Sequence, residues 1–209
     1  MMGPVWAGLV ALFELGGPVI LILLGLSVVS GATILWKFWH LWHLGAGRHR
    51  TLHDGVLLCD GGDFRAAAAR FAQGSGRLSQ VFAGCVDRDV AQSKSRTETE
   101  ADGVIIRMES GFKILDSIAQ VSPLLGLFGT VLGMIDAFQA MQQAGANVDP
   151  SVLAGGIWVA LMTTAAGLAV AIPTSLMLTF FETRVAKERA IAIWGIETIY
   201  SPHGDRNAA

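Results

Sequence analysis

The side chains of this 209-residue chain that could do chemistry inside an apolar environment are mostly hydroxyls. Thr130 stands in GLFGTVLG, and Thr163 and Thr164 stand in MTTAAG, each flanked by small or apolar residues. A threonine in such a helix either returns its hydroxyl to a carbonyl one turn back or offers it to a neighbour, an ion or water. Asp136, six residues beyond Thr130, is the one carboxylate close to them. A charge at that depth is costly unless it is hydrated, hydrogen-bonded or protonated, so Asp136 is either a functional acid or an interfacial one already touching outer water. Asp116 and Glu14 read as interfacial. No acid occupies the middle of any apolar stretch. The sequence has no G-x-x-x-x-G-K-[ST] phosphate loop, no H-E-x-x-H and no convincing hydrolytic triad, so the chain does not read as an enzyme. His40 with His43 and His49 with His53 have helical spacings but lack a Cys or carboxylate at metal-site spacing, so neither a metal nor a cofactor is expected.

The elements that must position these residues are membrane helices. Hydrophobic residues make up 52% of the chain and charged ones 15%, with a mean hydropathy of +0.51, well outside the range of ordinary soluble domains. Residues 19–36, VILILLGLSVVSGATILW, are free of charge and long enough, with a turn at either end, to cross a hydrocarbon layer of roughly 30 Å. Pro18 suits the first turn of that helix, and Trp36, Phe38, Trp39 and Trp42 form an interfacial belt beside Lys37. Two further spans follow at 118–141 and 155–181, joined by a Gly- and Pro-containing turn. The predicted organisation is an all-α membrane protein: an interfacial N-terminus at 1–18, a first span at 19–39, a helical region at 40–117, a second span at 118–141, a loop at 142–154, a third span at 155–181 and a helical tail at 182–209. No basic residue precedes the first span and no A-x-A site follows it, so that span is expected to remain as an anchor.

Orientation follows from the basic residues. All fifteen Lys and Arg lie in two stretches, eleven from Lys37 to Lys113 and four from Arg184 to Arg206. The positive-inside rule then puts the middle region and the tail in the cytoplasm, and the N-terminus and the 142–154 loop on the other side. Cys59 and Cys85 therefore sit in a reducing compartment as free thiols. In the middle region, residues 51–62 contain a short helix ended by Gly61 and Gly62, Asp63 caps an Ala-rich helix, and residues 86–115 form a longer helix running straight into the second span. Glu182 to Tyr200 reads as a continuation of the third span, with Val185, Ile193, Trp194 and Ile196 among its apolar contacts.

Depth ties the polar residues together. Thr130 is about 18 Å from the inner end of the second span, and Thr163 and Thr164 are about 12–14 Å from the outer end of the third, so antiparallel helices bring all three to a middle level. Gly126, Gly129 and Gly133 in the second span, and Ala160, Ala165, Gly167 and Ala171 in the third, are small positions that allow close helix approach. Pro123 and Pro173 each open one rung of the backbone ladder, giving either a local kink or a kink that widens an inner vestibule.

The stretch SPLLGLFGTVLGMIDAF, Ser122 to Phe138, followed by ALMTTAAGLAVAIP, Ala160 to Pro173, resembles the ExbB/TolQ/MotA proton-channel family, most of all its ExbB and TolQ branches. The family's three spans, long cytoplasmic middle and long cytoplasmic helices match the topology above. The resemblance implies a bacterial inner-membrane subunit that forms a homopentamer around a dimeric ExbD- or TolR-like partner. That partner's single span carries the acid that is protonated and deprotonated as H+ moves, and a TonB- or TolA-like protein takes the work to the outer membrane. It further implies pore-lining roles for Thr130, Thr164 and Thr163, the last at a position more often alanine. Relatives usually have a glutamate where this chain has Val159, and Asp136 is the candidate substitute for ion access. The competing reading, from another functional class, is a non-conducting scaffold of a membrane complex; a longer cytoplasmic domain and a four-span plan are missing for a flagellar stator.

Overall fold

The computed structural model describes residues 4–43, 49–74, 76–86, 94–144 and 150–201, with side chains in the first helix described from Gly17 onward. The elements among them are α1 (Pro4–His43), α2 (His49–Asp60), α3 (Phe64–Ala72), α4 (Arg77–Val86), α5 (Lys94–Glu109), α6 (Phe112–Ala144) and α7 (Pro150–Tyr200). The all-α membrane class is as expected, and three helical stretches are long and apolar enough to cross a membrane. The predicted spans fall inside α1, α6 and α7. Residues 1–3, 44–48, 75, 87–93, 145–149 and 202–209, with the side chain of Glu14, lie outside the description, as does the expected frayed end of the tail beyond Ser201. The expected interfacial start of the chain and the 142–154 loop are therefore only partly described.

The chain forms two compact units: residues up to Leu35 with Gly111–Leu178, and Trp36–Ser110 with the residues from Thr179. In the first, Gly17 takes φ +61°, a left-handed conformation that suits glycine because it has no Cβ, and Pro18 follows with no N–H to satisfy. Val19, Ile20 and Leu23 are buried just beyond. Deeper in α1, Ser30 Oγ lies 2.6 Å from Thr174 Oγ1, and both residues are buried. Thr174 already donates to the Val170 carbonyl at 2.7 Å, and a hydroxyl has one proton, so Ser30 is the donor of the pair.

The second unit packs α2 to α5 with the end of α1 and the C-terminal part of α7. Phe71 and Phe82 are fully buried with ring centroids 5.6 Å apart, each seated against a glycine. A Cβ on Gly55 would fall 2.7 Å or less from Phe71 ring atoms, and one on Gly195 would lie 3.0 Å from Phe82. Asp63 caps α3 as expected, accepting from the Ala66 N–H at 3.0 Å, and Gly62 ends the preceding turn at φ +81°. The Tyr200 hydroxyl joins α4 and α5 to the end of α7, 3.0 Å from Cys85 Sγ and 2.9 Å from Thr97 Oγ1. Burial beside Cys85 pushes the Cys59 thiol up to about 11.

Three details differ from the sequence expectation. The helix before the second span does not run straight into it: α5 stops at Glu109, and Gly111 takes φ +85° before α6 begins. The carbonyls left open at that end are met by the buried Lys37, whose ammonium donates to Met108 O at 2.5 Å and Ser110 O at 2.6 Å. The separate helix α4 was not anticipated, although Leu78, Phe82 and Cys85 follow a helical spacing and are all buried. On α7, Val185 and Ile196 are buried as expected, whereas Ile193 is 54% exposed.

Candidate functional site

Glycines decide how α6 and α7 meet. Going down α6, Ala137 opposes Gly156, Gly133 opposes Ala160, Gly129 opposes Thr163, Gly126 opposes Thr164 and Gly167, and Ser122 opposes Gly167. The numbers fall on one helix as they rise on the other, so the pair is antiparallel. Steps of three and four residues on both sides keep one face of each helix turned to its neighbour. The approach is close enough that a Cβ on Gly126 would lie 3.0 Å from the Thr163 carbonyl oxygen and 3.1 Å from Thr164 Cα. Backbone is meeting backbone, as small-residue membrane interfaces allow.

Within this seam each threonine has a distinct position. Thr163 is 1% exposed; its hydroxyl lies 2.7 Å from the Ala160 carbonyl and 3.3 Å from the Gly126 carbonyl of α6. That places it between α6 and α7, as a packing and bridging residue. Thr164, half-buried, donates to the same Gly126 carbonyl at 3.3 Å. Thr130, also half-buried, donates to Leu127 O at 2.6 Å within its own helix. All three hydroxyl protons are thus directed at backbone carbonyls, while the oxygen lone pairs of Thr130 and Thr164 remain on the partly open side.

The contact face also sorts the flanks. At about 100° per residue, Thr130 sits about 60° to one side of the α6 face that meets α7, and Thr164 about 70° to one side of the matching α7 face. Because the helices run in opposite directions, these two offsets fall on the same flank of the hairpin. Asp136 and Val159 fall on the other. Asp136 is exposed, and among the described residues none donates to its carboxylate, unlike Asp116, which accepts from Gln120 Nε2 at 2.7 Å. Pro123 is half-buried and Pro173 exposed, both inside continuous helices. The sequence placed the three threonines at similar depths, but not the flank on which Thr130, Thr164 and Asp136 lie; that required knowing which faces of α6 and α7 touch. No group of three or more His, Cys, Asp or Glu among the described residues is placed to hold a metal ion.

The sequence profile of the MotA/TolQ/ExbB proton channel family matches residues 68–192, which takes in the α6–α7 seam and more than half of the chain. This chain belongs to that family. Its likeness is to ExbB proteins. It is 39% identical over 93 residues to the biopolymer transport protein exbB1 of Vibrio cholerae serotype O1, a match that covers 44% of this chain and 36% of that protein. It is also 39% identical over 101 residues to a putative ExbB homolog of Methanothermobacter thermautotrophicus, covering 46% of this chain and 35% of the relative. A putative ExbB-like protein of Synechocystis sp., ExbB-like 3, matches at 28% over 181 residues, covering 84% of this chain and 86% of its own length. The chain thus spans about a third of the length of the first two relatives and most of the third. In this ExbB-family chain the matched region contains both the small-residue seam and the threonines beside it.

Proposed function

We propose that this chain is the wall subunit of a proton-driven motor in the bacterial inner membrane, with its N-terminus periplasmic and its C-terminus cytoplasmic. Five copies surround a dimeric ExbD- or TolR-like partner. The observation that carries this reading is the pair Thr130 and Thr164 on one flank of a seam that holds no acid of its own. Their protons point at backbone carbonyls, so what they offer a visitor is lone pairs. A protonated carboxylic acid, which donates, is accommodated without any rearrangement. A carboxylate, which only accepts, obliges each hydroxyl to leave its carbonyl, at a cost of about 0.5–1.5 kcal/mol per hydrogen bond. The wall therefore favours the neutral form of an acid supplied by the partner's single span. Protons taken up from the periplasmic side and released to the cytoplasm then drive relative motion, and a TonB- or TolA-like protein takes that motion to the outer membrane. The ion is H+. Asp136, on the opposite flank with Val159, is the acid at the outer approach.

The test is co-expression with an ExbD- or TolR-like single-span protein, mass measurement of the purified complex, and a gradient-dependent uptake or envelope-integrity assay in cells. A five-to-two complex is expected. Thr130→Ala with Thr164→Ala should keep the assembly and abolish the work, while the two serine variants should keep both. The fact that every threonine hydroxyl here bonds backbone also suits a second reading, a non-conducting scaffold. That reading wins if the double alanine variant works as well as the wild type.

A further inference from the structure

In the second unit, Phe38, Leu41 and Trp42 of α1 and Phe180, Phe181 and Arg184 of α7 line a cavity of about 200 Å³. Its wall is an aromatic cluster: Phe38 stacks with Phe180 at 6.1 Å and meets Phe181 edge-on at 5.5 Å, with Phe180 and Phe181 5.8 Å apart. Phe181 is fully buried, whereas Phe38 is 50% and Trp42 77% exposed at the mouth. The Arg184 guanidinium lies 5.7 Å from the Phe180 ring centroid, and no carboxylate lines the cavity. Among the described residues none forms an ion pair with Arg184.

The location in the bilayer is set by sequence. Phe38 follows Lys37, the first basic residue of the chain, and Arg184 is the first basic residue after Lys113. Both sides of the cavity therefore lie where a span leaves the hydrocarbon on its basic side, at the depth where exposed Trp36, Trp39 and Trp42 belong. An apolar aromatic pocket with an unpaired guanidinium at that depth matches one kind of occupant. We propose that it binds a single anionic phospholipid, with the phosphate diester on Arg184 and the glycerol and first acyl carbons against Phe38, Phe180, Phe181 and Trp42. Guanidinium is the side chain best shaped for a phosphate, since its fork donates two parallel hydrogen bonds. The pocket is too small to take a helix of a second copy, which is about 10 Å across. The proposal rests on the membrane crossings and not on the motor reading.

The full chain, purified in detergent, would be titrated with dioleoylphosphatidylglycerol or dioleoylphosphatidylcholine and followed by native mass spectrometry. The anionic lipid should be retained about fivefold to tenfold better, in line with one basic residue acting at a membrane surface. Arg184→Gln should abolish that preference, Arg184→Lys should keep part of it, and Trp42→Ala should weaken both lipids alike. Equal retention of the two lipids by the wild type, or an undiminished preference in Arg184→Gln, overturns the proposal. Competition by glycerol 3-phosphate at similar concentration makes it a free-phosphate site instead. A fall in subunit number in Arg184→Gln with no change in lipid retention makes the cleft a contact between copies, and likewise overturns it.

Discussion

Replacing Gly167 with alanine tests the seam most directly, because the added methyl has only backbone to meet. Its Cβ would stand 2.6 Å from the Ser122 carbonyl oxygen and 3.1 Å from Gly126 Cα, where ordinary contact begins at 3.4 Å. Relief means moving α6 off α7 by roughly 0.8 Å at that level, and neither helix backbone can rotate away as a side chain could. The Thr163 and Thr164 bonds to Gly126 O, already 3.3 Å long, would then pass beyond hydrogen-bond range. Overpacking of this kind costs about 1–3 kcal/mol, and lost interhelical hydrogen bonds add about 0.6 kcal/mol each. The better helix propensity of alanine returns up to about 1 kcal/mol. The net loss is therefore roughly 1–3 kcal/mol, about a fivefold to hundredfold shift in the folded fraction. Gly155→Ala is the control, since nothing lies within 4 Å of its added methyl. Thermal unfolding in detergent should show Gly167→Ala clearly below the wild type and Gly155→Ala level with it or above. Equal stability of the two variants would refute backbone contact as the basis of the seam.

Four further outcomes follow from other parts of the molecule. Asp136→Asn, expressed with the partner, should impair gradient-dependent work while leaving the complex assembled; unchanged work removes Asp136 from the ion path. Lys37→Met should destabilise the chain by about 1–3 kcal/mol in denaturant or thermal titrations, because two carbonyls at the end of α5 lose their donor. Asp63→Ala should cost about 1 kcal/mol through loss of the α3 cap, measured in the same way, and Asp63→Ser should recover most of it. For Cys59, the folded-state value of about 11 lies above the ordinary 9.0, so the native chain holds that proton longer than the unfolded one. The group contributes no pH dependence below pH 9 and lowers stability as pH rises from 9 towards 11. Cys59→Ala should flatten that part of the stability profile, and maleimide labelling of Cys59 at pH 8 should be slow until the chain unfolds.

Much of this protein was written in its sequence for a simple reason. Crossing a bilayer is decided by long runs of apolar residues and by where the basic ones fall, and both are one-dimensional quantities. The three spans, the Asp63 cap, the thiols left free and the threonines at a shared depth all follow from spacing alone. The motif around Thr130 and Thr164 carried the family as well. Contacts between residues far apart in the chain are a different matter. That Thr163 turns into the seam while Thr164, its neighbour, stays at the edge depends on which face of α7 meets Gly126 and Gly129. The break at Gly111 was hidden because the apolar pattern continues through it, and its donor, Lys37, comes from more than seventy residues away. The cavity beside Arg184 likewise exists only because α1 and α7 bring three phenylalanines together. Hydrophobic pattern selects which segments enter the membrane; close packing, which depends on shape at the scale of a methyl group, selects which side chains then face one another.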